Sequence, residues 1–260
     1  MPGNVRLAHA RQIKLDGVRE MAKMSGNGVC LVVGAGGAIA RRFAREGFVT
    51  CVTRRKADAL TPLVAQIEAA GGTAHAFGSD ARKEEEVLAL VQEIENTIGA
   101  IEVLVFNIGA NVPCGILEET ARKYFKIWEM SCFAGFLNAR EVAKRMVARQ
   151  RGSIIFTGDT ASLRGAANFA AFAGGKHALR ALAQSMAREL GARGIHIAQH
   201  YRRRNRHGLH PRQFPRSLCA QVAGRNSQSR PYCRRLLDVA HATARRLDTE
   251  LDLRPYVEKF

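Results

Sequence analysis

Between Val29 and Ala198 the chain repeats one unit: a short, mainly apolar segment, then a stretch with helical periodicity. Val29–Val33, Phe48–Thr53, Thr73–Phe77, Ile101–Phe106, Ser153–Phe156 and Ile195–Ala198 are expected as strands. Strands buried on both faces read as continuous apolar runs, not as alternation. Ala38–Glu46, Ala57–Ala70, Ala81–Ile98, Glu119–Ala148 and Ala170–Leu190 are expected as helices. In the third of these the apolar stripe is Val87, Leu88, Leu90, Val91 and Ile94. The second is closed by Gly71-Gly72. Repeated βα units imply a parallel sheet with helices on both faces. The expectation is a single α/β domain with a doubly wound parallel sheet, whose ligands bind beyond the carboxyl ends of the strands.

The 260 residues and 47% hydrophobic content fit one large soluble domain. No apolar run reaches the roughly 18 residues that a membrane span needs. Residues 1–24 read as an N-terminal extension with no apolar secretion signal, and Asp16 and Glu20 argue against an organelle signal. Met21 and Met24 are alternative starts. The six cysteines, Cys30, Cys51, Cys114, Cys132, Cys219 and Cys233, form no CxxC pair. They are expected as free thiols in a reducing compartment, the cytoplasm, with no metal site.

A net charge of +17 invites a nucleic-acid reading. Residues 199–248, however, hold twelve arginines, no lysine and only Asp238 and Asp248 as acids, so this segment alone carries +10. It has no aromatic interleaving and no zinc-finger spacing, and nucleic acid is the last-ranked partner. Its composition breaks abruptly from the βα pattern, with a helical stretch near Leu236–Ala244, and ordinary protein returns at Thr249–Phe260, where Leu251-Asp252-Leu253 is an expected edge strand. Such a break reads like a coding stretch translated out of frame. With free codon choice, Arg202 to Pro215 back-translates to a text that, one register over, spells Ile-Asp-Gly-Ala-Ile-Asp-Thr-Ala-Phe-Ile-Arg-Asp-Asn-Phe-Pro. Sequencing the coding DNA tests this; a single uninterrupted frame ends the idea.

The motifs lie at the expected strand ends. Gly34-Ala35-Gly36-Gly37 follows the first strand and opens a helix with Ala38-Ile39-Ala40. Glycines there let backbone approach a pyrophosphate at a helix N-terminus, and a tight structural turn is the competing reading. Arg54-Arg55 closes the second strand and Asp80 follows the third. Leu104-Val105-Phe106-Asn107-Ile108-Gly109 covers the fourth, and Ser153 to Asp159 precedes Phe172-Ala173-Gly174-Gly175-Lys176. Together these segments resemble the short-chain dehydrogenase/reductase family from about Gly28 to Ala198. The resemblance implies a Rossmann-like fold, a nicotinamide dinucleotide, a small carbonyl or alcohol substrate, and a homo-oligomer formed through Glu119–Ala148 and Ala170–Leu190.

By that resemblance Gly34, Gly36 and Gly37 match the family's TGxxxGxG turn, here about four residues short. Arg54, with Arg55, stands where NAD-preferring members place an acid. Arg54 therefore implies NADP, with NAD as the alternative, against a plain solvated surface pair. Asp80 either hydrogen-bonds adenine or caps a helix. Asn107 and Gly109 match the family's LVNNAG, with Phe106 replacing its first Asn. The family's catalytic Ser and Tyr positions are Asp159 and Phe172, its helical Asn is Ser131, and Lys176 alone is kept. Phe172 cannot give or take a proton, so a term worth on the order of 10²–10⁴-fold is expected to be lost. Asp159 would replace it only if burial raised its pKa, which a nearby Lys176 opposes. Lys176 either binds the nicotinamide ribose or is a solvated or salt-bridged lysine. The two functions carried forward are an NADP-linked oxidoreductase, weak or inactive as written, and a non-catalytic dinucleotide-binding or scaffold protein.

Overall fold

The computed structural model describes residues 27–202 and 250–253. Seven strands form one parallel sheet in the order β3-β2-β1-β4-β5-β6-β7. They are β1 (Val29–Gly34), β2 (Val49–Arg54), β3 (Ala74–Gly78), β4 (Ile101–Asn107), β5 (Gly152–Asp159), β6 (Ile195–Arg202) and β7 (Glu250–Leu253). The helices are α1 (Gly37–Arg45), α2 (Thr61–Glu68), α3 (Glu84–Thr97), α4 (Ala121–Trp128), α5 (Ala134–Arg149) and α6 (Ala170–Leu190). The expected doubly wound Rossmann-like sheet is what forms.

Within the sheet, neighbouring side chains along a strand point to opposite faces. Leu31, Val33, Leu104, Phe106, Ile154 and Phe156 join α3, α5 and α6 residues such as Val87, Ile94, Leu137, Met146 and Leu179 in one core. Cys30, Val32, Val103, Val105 and Ile155 join Ile39, Phe43, Leu60 and Ile67 on the other. The apolar runs therefore feed two cores at once, which is why no alternation was visible in them. Phe106, the departure from LVNNAG, is fully buried, stands edge-on to Phe156 at 6.3 Å, and packs against Gly135 of α5. Burying a phenyl ring of this size stabilises by roughly 2–3 kcal/mol.

Several boundaries differ from the sequence reading. The expected helix Ala57–Ala70 starts as a 3-10 turn, Ala57–Leu60, before α2. Leu88 lies 43% exposed on α3, off the stripe of Val87, Leu90, Val91 and Ile94. The helix over Glu119–Ala148 is α4 and α5 joined by a π-helical turn, Glu129–Phe133. Thr120 caps its start by accepting from Lys123 N at 3.2 Å. Strand β6 runs four residues past Ala198, because Gln199 to Arg202 extend the ladder between β5 and β7. The expected edge strand Leu251–Leu253 is present as β7, one residue longer. The helical stretch near Leu236–Ala244, Cys219, Cys233 and the rest of residues 203–249 lie outside the described residues.

Candidate functional site

Strand order reverses between β1 and β4, the switch point at which open α/β sheets bind ligands. Gly34 of β1 pairs with Asn107 of β4 at this point. Only Ala35 and Gly36 connect β1 to α1. Gly34 has φ +97°, and a Cβ there would lie 2.7 Å from the Asn107 carbonyl oxygen. Glycine is therefore obligatory at that residue on two counts, backbone angle and close approach. A Cβ on Gly36 would collide with Val32, whereas Gly37 has ordinary space beside Leu63. The connector is pinned from across the switch point, since Asn107 Nδ2 donates to Ala35 O at 2.8 Å.

These contacts show that Gly34 and Gly36 answer to the tight turn itself. The turn nonetheless ends at an α1 N-terminus with no side-chain cap. Uncapped N–H groups of a first turn carry partial positive charge and are an anion site. At the end of β2, Arg54 and Arg55 are exposed. Asp80 is held by Arg82, whose Nε donates at 2.9 Å and whose NH2 group lies at 2.5 Å. Those hydrogen bonds keep the Asp80 carboxyl down at about 2. Arg82 also reaches Glu129 at 3.3 Å, tying this loop to the π turn. The capping reading of Asp80 is overturned: Lys83 is the N-cap residue of α3, and no side chain caps that helix.

The other half of the site is buried. Lys176, on α6, is 4% exposed and donates to Thr157 O at 2.7 Å and Ile108 O at 3.1 Å. It is thus neither solvated nor salt-bridged: its tip sits between the carboxyl ends of β4 and β5. Burial pushes its pKa down to about 8, against a smaller pull upward from Asp159. A Cβ on Gly109 would lie 3.4 Å from Lys176 Cε, 3.6 Å from its Nζ and 3.5 Å from Phe172 Cε2. The bare face of Gly109 is where lysine tip and phenyl edge meet. Phe172 is packed with Ile127 and Ala171, against Ala110 and Ala161.

Asp159 ends β5 and is committed to a capping box. It accepts from Ala161 N at 3.4 Å while Ser162 Oγ accepts from Asp159 N at 3.2 Å. The spacing Asp159-x-x-Ser162 carried a capping signal that the sequence reading passed over. Ser131 sits in the π turn, fully buried, its hydroxyl without a partner, packed on Gly175 of α6. π turns are rare and recur at functional sites. Of the residues expected at the site, the structure gathers Gly109, Phe172 and Lys176 in contact and joins Gly34 to Asn107. Arg54, Arg55 and Asp80 stand apart on the β2–β3 side. The carbonyls of Ile108 and Thr157 and the Arg82 guanidinium were missed, because backbone acceptors and a partner two residues along leave no motif.

Among the described residues no group of three His, Cys, Asp or Glu gathers to hold a metal ion, and no helix is long and apolar enough to cross a membrane. Cys30 and Cys51 are free and buried, and burial raises both thiols above their ordinary range.

Comparison with known proteins places these observations in one group. A family model described as short chain dehydrogenase matches residues 29–200. A crystal structure of a short-chain dehydrogenase from Rhodopseudomonas palustris is 39% identical, with a TM-score of 0.74 over 88% of this chain and 99% of that one. A short-chain dehydrogenase/reductase of Armillaria gallica is 30% identical over 176 residues, 65% of this chain and 67% of that protein. A metagenomic short-chain oxidoreductase solved in complex with NADP shares the fold at 24% identity, TM-score 0.74, over 88% of this chain and 97% of that one.

Proposed function

We propose a function from one premise, that the chain belongs to the short-chain dehydrogenase family: it binds NADP(H) and moves hydride, weakly, between the nicotinamide and a small carbonyl or alcohol. The observation that carries this reading is Lys176, buried at the joined ends of β4 and β5 beside Gly109. A lysine placed there faces the switch-point crevice and can donate to ribose hydroxyls. The fit at the other end comes from Arg54 and Arg55, exposed at the end of β2, whose charge suits a 2′-phosphate. Between them the uncapped N-terminus of α1, with Gly34, Gly36 and Gly37, would meet the diphosphate, through fewer N–H groups than a longer loop offers. Asp80 would lie on the adenine side and Asn107 and Gly109 along the crevice. The cofactor, when bound, supplies the hydride and its acceptor; the chain's own residues bind, orient and exclude water. Ser131, Asp159 and Phe172 surround the place of reaction. NAD is the weaker alternative. The chain works in the cytoplasm as a homo-oligomer through α4, α5 and α6, and residues 199–248 are read as out of frame.

A specific observation favours a second reading, a non-catalytic dinucleotide-binding protein: Phe172 brings a buried, non-ionisable ring to the reaction centre. Fluorescence titration with NADPH and NADH tests the shared premise, with NADPH expected to bind more tightly. Oxidation of NADPH by a carbonyl panel then separates the two readings. No saturable binding of either nucleotide would overturn both.

A further inference from the structure

Gly34 and Gly36 are explained by the tight turn, but Gly37 is not. Its φ is not positive, and a Cβ there would lie 3.5 Å from Leu63 Cδ1 and 3.8 Å from Arg41 Nη1, both ordinary contacts. The turn would accept a side chain at this residue. What the bare residue leaves open is the space between the end of α1 and Arg41. Gly36 N donates to Gly34 O at 2.9 Å and Ala40 N to Gly36 O at 2.8 Å, so the N–H groups of Gly37, Ala38 and Ile39 are left at a helix end with no side-chain cap. Arg41 stands four residues on from Gly37, on the same face, and helix side chains lean toward the N-terminus. Its guanidinium therefore lies beside that end rather than away from it. Nη1 donates to Gln66 Oε1 of α2 at 3.1 Å, which anchors the group there. A guanidinium has five N–H donors. Among the described residues the other donors of Arg41 have no acceptor and no carboxylate pairs with it, whereas Arg42 beside it is paired with Glu46 at 2.5 Å.

We propose that Arg41 is a side-chain clamp on the diphosphate of the dinucleotide, its guanidinium and the first-turn N–H groups of α1 sharing the phosphate oxygens across the bare face of Gly37. This rests on the dinucleotide-binding reading above, and holds whether or not the chain turns over a substrate. The turn is about four residues shorter than the family's pattern, and a shorter turn brings fewer backbone donors. A cation anchored beside the helix end replaces them. Arginine suits the position, because its planar fork of donors matches a pair of phosphate oxygens. Two arginine sites then divide one ligand. Arg54 and Arg55, at the end of β2, meet the 2′-phosphate that only NADP carries, and Arg41 meets the diphosphate that NAD and NADP share. Arg41 thus adds affinity without adding cofactor preference.

The test titrates NADPH and NADH by fluorescence against the full chain and its Arg41→Ala, Gly37→Ala and Arg45→Ala variants. Arg41→Ala should weaken both nucleotides by the same factor, about fivefold, the upper range for a partly screened charge contact. Gly37→Ala puts a methyl group where the oxygens must pass, and should also weaken both. Its Tm should stay level or rise, since alanine is the better helix former. A merely structural role for Gly37 would not lower affinity while the melt holds. Arg45, exposed in the last turn of α1, controls for the loss of one positive charge. It lies about 12 Å along the helix from Gly37, beyond the Debye length of about 10 Å at 0.1 M salt, so Arg45→Ala should leave both affinities unchanged. A loss confined to NADPH would put Arg41 at the 2′-phosphate and overturn the proposal. So would affinities within about twofold in Arg41→Ala, or an equal loss in Arg45→Ala. Each of these outcomes leaves the dinucleotide reading standing. No saturable binding of either nucleotide by the unaltered chain overturns that reading and this proposal together.

Discussion

The two sides of the switch point are built differently. On the β1–β3 side the candidate groups are backbone and exposed charge: a two-residue turn, an uncapped helix end, Arg54 and Arg55. On the β4–β5 side they are buried side chains: Lys176, Phe172 and Ser131 are each at most 5% exposed. Exposed charges act through solvent and are worth little individually, whereas a buried ammonium is held by specific acceptors and shifts its pKa. The first side is thus suited to holding a charged ligand with tolerance, and the second to fixing one group in a single geometry.

That contrast breaks most visibly at Phe172. Phe172→Tyr should raise NADPH-dependent carbonyl reduction at least roughly 10²-fold, the lower end of what a positioned acid–base group contributes. An unchanged kcat would show that the buried side is not the limiting one. Next in size is Gly34→Ala, which forces a positive φ on alanine and drives Cβ into the Asn107 carbonyl. It should cost about 2 kcal/mol and lower Tm by roughly 4–8 °C in a thermal melt. A smaller effect is expected on the exposed side. Arg54→Ala should weaken NADPH about tenfold and NADH hardly at all in parallel titrations, since one partly screened charge pair is removed. Equal losses for both nucleotides would take the 2′-phosphate away from Arg54.

The smallest effect concerns pH and stability. Lys176 is about 8 in the folded chain against an ordinary 10.5. Between those values the unfolded chain holds more protons at this residue, so its contribution to stability rises with pH in that window. Below pH 8 both states are charged and the full cost of burial is borne. Relative to Lys176→Met, the wild-type Tm should therefore improve by roughly 2–4 °C from pH 8 to pH 9. A gap that does not move with pH would mean the amine is not buried in solution.

The order of strands and helices was legible in the sequence because burial on two faces is a local demand. Each of β1, β4 and β5 must be apolar through its middle, whatever its neighbours are, and α6 was readable end to end from its own periodicity. Asp159, Phe172 and Lys176 could be placed near one another by the same route, since they lie on consecutive elements of one βα unit. What they do there was not legible. Lys176 finds its acceptors 68 and 19 residues away, at carbonyls that every residue type carries. Asp80 is bound by Arg82 rather than capping α3, and Ser131 is carried on a π turn that no spacing announces. Amino-acid identity decides which segments must be buried, and hence the sheet. Only the register between strands decides which backbone oxygens meet a given side chain, and with them its charge and its chemistry.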